Sequence, residues 1–333
     1  MDLSPFSSPE AQFAVEAVRE ASLLARRVQA EMISGALTKD DRSPVTVADF
    51  AVQAVIAHRL AESLPGSILV GEEQSAALQL EEGLAMLDQV THFVRSSLAN
   101  ATPEEVCGLI DRGRGEPAAG SFWTLDPIDG TKGFLRREQY AVALALVRDG
   151  NVELGVLGCP DLVEGLRPAA GGPGSLVAAA RGKGTWVQPL AGDSQWQRLT
   201  VSPERNASAA RLLRSVEKSH TNTDRIGQLL AALGTSAASI PMDSQAKYAV
   251  LAAGGAEILV RLLSPSRPDY AETIWDQAAG SIVISEAGGR VSDLDGKSLD
   301  FSHGRRLLRN RGVLATNGHL HEAVLAALRS VSA

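Results

Sequence analysis

Sulfur chemistry has little to work with here, because Cys107 and Cys159 are the only cysteines in 333 residues. Two isolated thiols form neither a disulfide framework nor a metal-site spacing. The expectation is a pair of buried thiols in a reducing cytosol. Long apolar runs are also missing. The longest strongly apolar stretch is about Tyr140–Val147, far short of the roughly 20 residues that a membrane-spanning helix needs. The first residues carry no basic n-region, no apolar h-region and no arginine-rich transit pattern, so a cytoplasmic protein is expected. An excess of basic charge is absent too. Lysine and arginine number 32 against 39 aspartates and glutamates, a net charge of −7. That balance disfavours a nucleic-acid polymer as partner, which would want a basic face. It leaves room for a nucleotide substrate in one local basic pocket. Glycine and proline, at 31 and 15 residues, are too few for a collagen-like or low-complexity chain, and no solenoid repeat is visible.

What remains is an ordinary globular composition, 44% hydrophobic and 21% charged. The length suggests about two domains. A first helix is capped by Ser8, with Pro9 in its first turn. Ala14, Val18, Ala21, Ala25, Val28 and Met32 form its apolar stripe, and Gly35 stops it. A second helix is expected from about Thr46 to Ser63, with Asp49 in its first turn, then a strand over Ser67–Gly71 with Glu72 and Glu73 at its end. Residues 78–98 read as helix, and Thr102-Pro103-Glu104-Glu105 opens another through a capping box. Phe122–Leu125 is a strand that Asp126-Pro127 is expected to stop. Tyr140–Arg148 and Asn151–Gly158 form a hairpin through Asp149-Gly150, and Ser175–Ala180 and Gly184–Gln188 form a second.

The second half alternates strands and helices. Strands are expected at Arg211–Val216, Glu257–Leu262 and Val313–Thr316. Helices are expected at Asp224–Leu233, Ser244–Ala253, Ile274–Ala287 and His319–Val331. The polar stretch Thr200–Ala209 separates an N-terminal α+β domain, residues 1–200, from a C-terminal α/β domain, residues 201–333.

The acids carry the chemistry. A bare Asp-x-x-Asp such as Asp126-Pro127-Ile128-Asp129 is usually a capped surface turn. Here it follows an apolar strand, and Gly130-Thr131 can open a short helix with free N–H groups suited to a phosphate. Asp49, Glu72 and Asp276 also sit at element ends after apolar segments. Oxygen ligands in that arrangement suit a hard cation such as Mg²⁺, and no His/Cys cluster competes for softer metals.

Three segments carry a resemblance. Gly71-Glu72-Glu73, Leu125-Asp126-Pro127-Ile128-Asp129-Gly130-Thr131 and Ile274-Trp275-Asp276-Gln277-Ala278-Ala279-Gly280, followed by Glu286-Ala287-Gly288-Gly289, resemble the Mg²⁺-dependent, lithium-sensitive phosphatases of the inositol monophosphatase superfamily. Within it, residues 39–49, Thr131–Arg136, Gln139–Leu146, Val216–His220 and Met242–Tyr248 are similar to the 3′(2′),5′-bisphosphate nucleotidases. The resemblance implies an α+β, layered αβαβα sugar-phosphatase fold. It implies hydrolysis of the 3′-phosphate of adenosine 3′,5′-bisphosphate to AMP and phosphate, with the 5′-phosphosulfate analogue as a further candidate substrate. The Mg²⁺ ligands it implies are Glu72, Asp126, the carbonyl of Ile128, Asp129 and Asp276, holding two or three ions. Asp49 and Thr131 become the pair that activates water. Gly130, Thr131, His220, Ser244, Lys247, Arg261 and Asp276 become substrate contacts. Taken singly, Arg261, Lys247 and His220 each fit an ordinary surface or loop role. A monomer or weak dimer acting on a small-molecule nucleotide is expected.

Two residues depart from the pattern. Gln277 stands where a histidine is usual, and Arg137 where a glycine is usual. The Gly-rich stretch Arg167–Gly174 also departs. Arg305, Arg306, Arg309 and Arg311 read as a solvated basic loop. The rival readings are an inositol phosphate or NADP phosphatase of the same superfamily and, from a different class, a non-catalytic nucleotide-binding regulator. The regulator would be expected to lack a ligand or the water-activating pair, and none is missing.

Overall fold

The computed structural model describes residues 5–33, 43–117, 120–192, 194–216, 223–235, 237–263, 267 and 269–332. The chain opens with helices α1 (Pro9–Ile33) and α2 (Ser43–Ser63) and strand β1 (Leu69–Gly71). Helices α3 (Leu84–Val94) and α4 (Pro103–Asp111) follow, then β2 (Ser121–Asp129) and the short α5 (Thr131–Arg136). Strands β3 (Ala141–Arg148), β4 (Asn151–Cys159), β5 (Leu162–Val163), β6 (Arg167–Pro168), β7 (Ser175–Ala180), β8 (Gly184–Pro189) and β9 (Gln197–Leu199) come next. After them run β10 (Leu212–Arg214), α6 (Thr223–Ala232), β11 (Ile240–Pro241), α7 (Ala246–Ala252) and β12 (Ile258–Arg261). The chain ends with α8 (Ala278–Glu286), β13 (Arg290–Ser292), β14 (Val313–Thr316) and α9 (His321–Ser332).

Two large sheets result, a seven-stranded one in the order β1-β2-β3-β4-β7-β8-β9 and a five-stranded one in the order β11-β10-β12-β14-β13. The seven-stranded sheet is buried on both faces, and its residues alternate accordingly. On β3, Val142, Leu144 and Leu146 pack with α1 and α2, while the small Ala141, Ala143 and Ala145 face α7 and α8. Small side chains there let helix approach sheet closely. A Cβ on Gly155 of β4 would lie 2.8 Å from the Ala279 carbonyl of α8. The other side of α7 and α8 meets Leu213, Leu259 and Ala315 of the five-stranded sheet. That sheet's far face, with Leu212, Ile258, Val260 and Leu314, packs on Ile226 and Leu229 of α6 and Leu325 and Leu328 of α9. The layers therefore run helix, sheet, helix, sheet, helix, as the sequence led us to expect. The chain crosses between the sheets after Leu199 and before Leu212.

Local signals explain most boundaries. Ser8 Oγ accepts from Ala11 N, and Thr102 with Glu105 makes a complete capping box on α4. Asp149 and Gly150 both take positive φ, 50° and 75°, which a two-residue hairpin turn requires. The expected stop at Gly35 lies outside the described residues.

Four expectations are corrected. Helix α2 begins at Ser43, so Asp49 lies in its second turn; Pro44 is tolerated at a helix start. Strand β2 does not stop at Asp126-Pro127 but continues to Asp129. The register against β3 shifts between Asp126 and Asp129, and a proline can sit at such a bulge. The stretch over 78–98 divides into short 3₁₀ turns at Ser75–Gln79 and Glu81–Gly83 before α3. The helix expected from Ile274 starts only at Ala278, which leaves Asp276 in the turn before it.

Arg137 caps the end of α5 at φ 57°, in the left-handed region. A side chain there costs about 1–2 kcal/mol that glycine avoids. We expect Arg137→Gly to raise the midpoint of thermal unfolding, by an amount reduced by glycine's greater entropy loss. A lowered midpoint would mean that the Arg137 side chain contributes more than its backbone costs.

Candidate active site

Asp49, Glu72, Glu73, Asp126, Asp129 and Asp276 face one another where the ends of β1 and β2 meet α2 and the turn before α8. Asp49 and Asp126 are buried, at 9% and 3% exposure. Asp129 and Asp276 are half-buried, and Glu72 stands at the mouth with its side chain reaching solvent. Burial raises the carboxyl of Asp126 well above its usual range, and the charges of Glu72, Asp129, Asp276 and Asp49 add to that. Asp49 is likewise raised, by burial and then by Glu73 and Glu72. Glu72 is pushed up to about 7 by the surrounding protein and by Glu73 and Asp129. Asp276 is also pushed up to about 7, by burial and by Asp129, Glu272 and Glu72, against the pull of Arg261. Burial raises Asp129 less, because Lys247, Arg261 and the Gln245 N–H oppose it.

Such a group of acids lacks positive charge. Asp126 and Glu72 lie close enough to raise the proton affinity of Asp126, and among the described residues no cation-bearing side chain stands between them to offset it. Asp126 Oδ1 is buried with no hydrogen-bond partner. Hard oxygen donors, mutual repulsion and an orphaned carboxylate oxygen all fit a divalent cation. Among the described residues, no three Asp, Glu, His or Cys side chains are already closed about one point as an ion would hold them. Ile128 lies within the β2 bulge between Asp126 and Asp129.

Two glutamines hold the acids in place. Gln53, one turn after Asp49 on α2, accepts from Glu73 N at 3.0 Å and donates to Glu73 O at 2.8 Å and Ile110 O at 2.7 Å. It thereby fixes the Glu72-Glu73 turn to the helix that carries Asp49. Gly71 and Gly113 make room for it, since a Cβ at either would fall within 2.4 Å of its amide. Gln245 donates its backbone N–H to Asp129 Oδ2 at 2.7 Å and its side-chain amide to Trp275 O at 3.0 Å. Its Oε1 accepts from Gly280 N at 3.1 Å. One residue thus joins the β2 end to the turn carrying Asp276. Ser244 before it takes φ 64°, and Gly130 lies against it, a Cβ there falling 2.8 Å from Ser244 Cβ.

A basic pair borders the acids. Lys247 is 5% exposed and donates to Met242 O at 3.1 Å. Burial and Arg261 pull its ammonium down to about 8, while Asp129, Asp243 and Asp276 hold it up. Arg261 pairs with Glu272 at 2.8 Å, and Gln277 donates to the same Glu272 oxygen at 3.0 Å. Tyr248 OH donates to Gln277 Oε1. The glutamine that departs from the family pattern is therefore a buried link between Tyr248 and Glu272.

Thr131 is exposed at the start of α5, and among the described residues it is not hydrogen-bonded to Asp49. His220 lies outside the described residues. Sequence reading did not find Gln53, Gln245, Glu272 or the part played by Glu73. The available signal was a polar residue inside an apolar stretch, as at Gln53 between Val52 and Val55.

Residues 7–333 match the inositol monophosphatase family. The chain is 40% identical over 349 residues to 3′(2′),5′-bisphosphate nucleotidase 2 of Candida albicans, covering 97% of each. It is 39% identical over 344 residues to a 3′(2′),5′-bisphosphate nucleotidase of Oryza sativa, covering 98% of this chain and 95% of that one. Its fold superposes on Mycobacterium tuberculosis SuhB with a TM-score of 0.62 at 21% identity, over 98% of both chains.

The raised acids give the metal-free protein a pH signature. Glu72 and Asp276 titrate near 7 when folded and in the ordinary carboxylate range when unfolded. A folded value above the unfolded one means stability that is full at low pH and lost as pH rises through about 7. His321, lowered to about 4 by burial, acts with the opposite sign but only below its ordinary value of 6.5. With two acids against one histidine, the thermal unfolding midpoint of chelator-treated protein should therefore fall mainly between about pH 5 and 7.5. Mg²⁺ should restore more at the upper end, and Asp276→Asn should flatten the decline. A flat profile in the parent protein would contradict the clustering of these acids.

Proposed function

The chain belongs to the inositol monophosphatase family, and from that premise we propose that it is a 3′(2′),5′-bisphosphate nucleotidase that hydrolyses the 3′-phosphate of adenosine 3′,5′-bisphosphate to AMP and phosphate. One observation carries the reading beyond the family. Lys247 and Arg261 lie within electrostatic reach of Asp129 and Asp276. A site that combines uncompensated acids with two cations suits a substrate with two phosphates.

In this reading Glu72, Asp126, Asp129, Asp276 and the Ile128 carbonyl hold two or three Mg²⁺ ions. The bound cation supplies charge neutralisation at the phosphate and a more acidic water. Asp49 and Thr131 act as a proton relay, the hydroxyl taking the proton of the attacking water and the carboxylate receiving the hydroxyl proton. Asp49 suits that task because burial and the charges of Glu73 and Glu72 raise its proton affinity. Gly130 and the first N–H groups of α5 face the phosphate to be cleaved. Lys247, Arg261, Ser244 and His220 hold the nucleotide and its 5′-phosphate. Arginine presents planar paired donors to a phosphate, while the Glu272 contact fixes the guanidinium plane. In the described residues no helix is long and apolar enough to cross a membrane, and a small phosphate ester in solution is the substrate proposed.

Phosphate release tests the reading. A panel should include adenosine 3′,5′-bisphosphate, its 5′-phosphosulfate analogue, inositol 1-phosphate and NADP, each with Mg²⁺ and with chelator. The bisphosphate should be preferred, and chelation should abolish turnover. Preference for inositol phosphate would overturn the assignment.

Two variants separate the roles. Asp49→Asn should lower kcat by ~10²–10⁴-fold while leaving AMP binding intact, and loss of AMP binding would make Asp49 structural. Arg261→Met alone would leave buried Glu272 without its cation, so the informative variant is Arg261→Met with Glu272→Gln. Its efficiency on the bisphosphate should fall about ten- to hundredfold, from loss of a charge-assisted bond of ~1.5–3 kcal/mol. Equal losses on inositol 1-phosphate would mean that Arg261 serves the fold instead.

A further inference from the structure

Arg305 lies in the segment between β13 and β14, within the run that reads as a solvated basic loop. The structure corrects that reading for this residue. Its Nη1 donates to Gly115 O at 3.0 Å and approaches Gly113 O at 3.5 Å, and its Nη2 donates to Gly71 O. Its guanidinium carbon lies 4.9 Å from the centroid of the Trp275 ring. The backbone around it is fixed as well. Ile274 N donates to Arg305 O at 3.1 Å, and Leu307 N to Glu272 O at 2.9 Å. Arg306 bridges Thr273.

Two of the residues that this guanidinium touches are neighbours of acids in the site. Gly71 immediately precedes Glu72, and Trp275 immediately precedes Asp276. Glu72 extends from the seven-stranded sheet, whereas Asp276 stands in the turn before α8. Gln245 joins Trp275 to Asp129, and Gln53 joins Glu73 to the helix of Asp49. Neither joins the Glu72 turn to the Asp276 turn. Arg305 does so, from one side chain that carries charge to the carbonyl end of β1 and presents a flat face to the indole.

We propose that Arg305 is a positioning residue that sets the spacing of Glu72 and Asp276 for the divalent cation. The inference rests on the reading of these acids as cation ligands. Mg²⁺ demands near-ideal octahedral geometry, so a small change in the spacing of its ligands weakens binding. Groups that orient ligands without touching the ion typically matter by ~10–100-fold in metal affinity.

The test measures Mn²⁺ and Mg²⁺ binding by calorimetry, beside thermal unfolding and steady-state kinetics, in Arg305→Lys, Arg305→Met and Arg306→Met. Lysine keeps the charge but cannot span Gly71 O and Gly115 O while stacking on Trp275. Methionine keeps an apolar stem over the ring. Arg306 anchors the same loop through Ala271 O at 2.9 Å without reaching β1, so it is the control. We expect both Arg305 variants to lose about ten- to hundredfold in metal affinity. KM for the bisphosphate at saturating Mg²⁺ should stay unchanged, and Arg306→Met should bind metal as the parent does. Should Arg305→Met fail to fold, Arg305→Lys decides. Parent-like metal affinity in Arg305→Lys, whatever its unfolding temperature, would overturn the inference. So would an equal loss in Arg306→Met. Failure of the parent protein itself to bind Mn²⁺ or Mg²⁺ would instead overturn the reading of the acids, and with it the premise.

Discussion

Mutual repulsion among clustered carboxylates is the constraint on which this site depends. Asp49, Asp126, Asp129, Asp276, Glu72 and Glu73 each raise the proton affinity of at least one neighbour or have their own raised. Acids so placed separate, take up protons or attract cations. Here they are prevented from separating. Gln53, Gln245 and Arg305 tie the four chain segments that carry them, using amide and guanidinium groups whose charge does not change across the physiological range. The layered fold supplies what those ties need. Small residues on the inner face of β3, and Gly155 on β4, bring α8 close to the seven-stranded sheet. Asp276 in the turn before that helix is thereby brought to the ends of β1 and β2.

The same arrangement separates two electrostatic tasks. The acids concentrate negative charge, while Lys247 and Arg261 border them from α7 and β12. The basic pair is held by neighbours of its own, Met242 O for Lys247 and Glu272 for Arg261. Gln277 extends that support from Glu272 to Tyr248. A neutral amide at this position passes hydrogen bonds between a carboxylate and a phenol without titrating. That gives a physical role to a residue which departs from the family pattern beside Asp276.

Much of this was legible in the sequence, for identifiable reasons. Caps and hairpins announced themselves through Thr102, Asp149-Gly150 and the alternating run in β3. The acids were visible because carboxylates after apolar segments are unusual enough to notice. The ties between them were not. Gln53 and Gln245 are single polar residues in apolar surroundings, and their partners are backbone atoms distant in sequence. Arg305 was hidden by composition, since one arginine in a basic run gives no sign that its partners are carbonyls of β1 and an indole. The continuation of β2 through Pro127 was missed because the bulge that admits a proline is set by pairing with β3.

The central claim is that these acids form a divalent-cation site. Anomalous diffraction from crystals grown with Mn²⁺ tests it most directly. The account predicts strong peaks ligated by Glu72, Asp126, Asp129, Asp276 and the Ile128 carbonyl, with the Asp129 side chain still accepting from Gln245 N. Well-ordered crystals of active protein in saturating Mn²⁺ with no peak among these residues would contradict it.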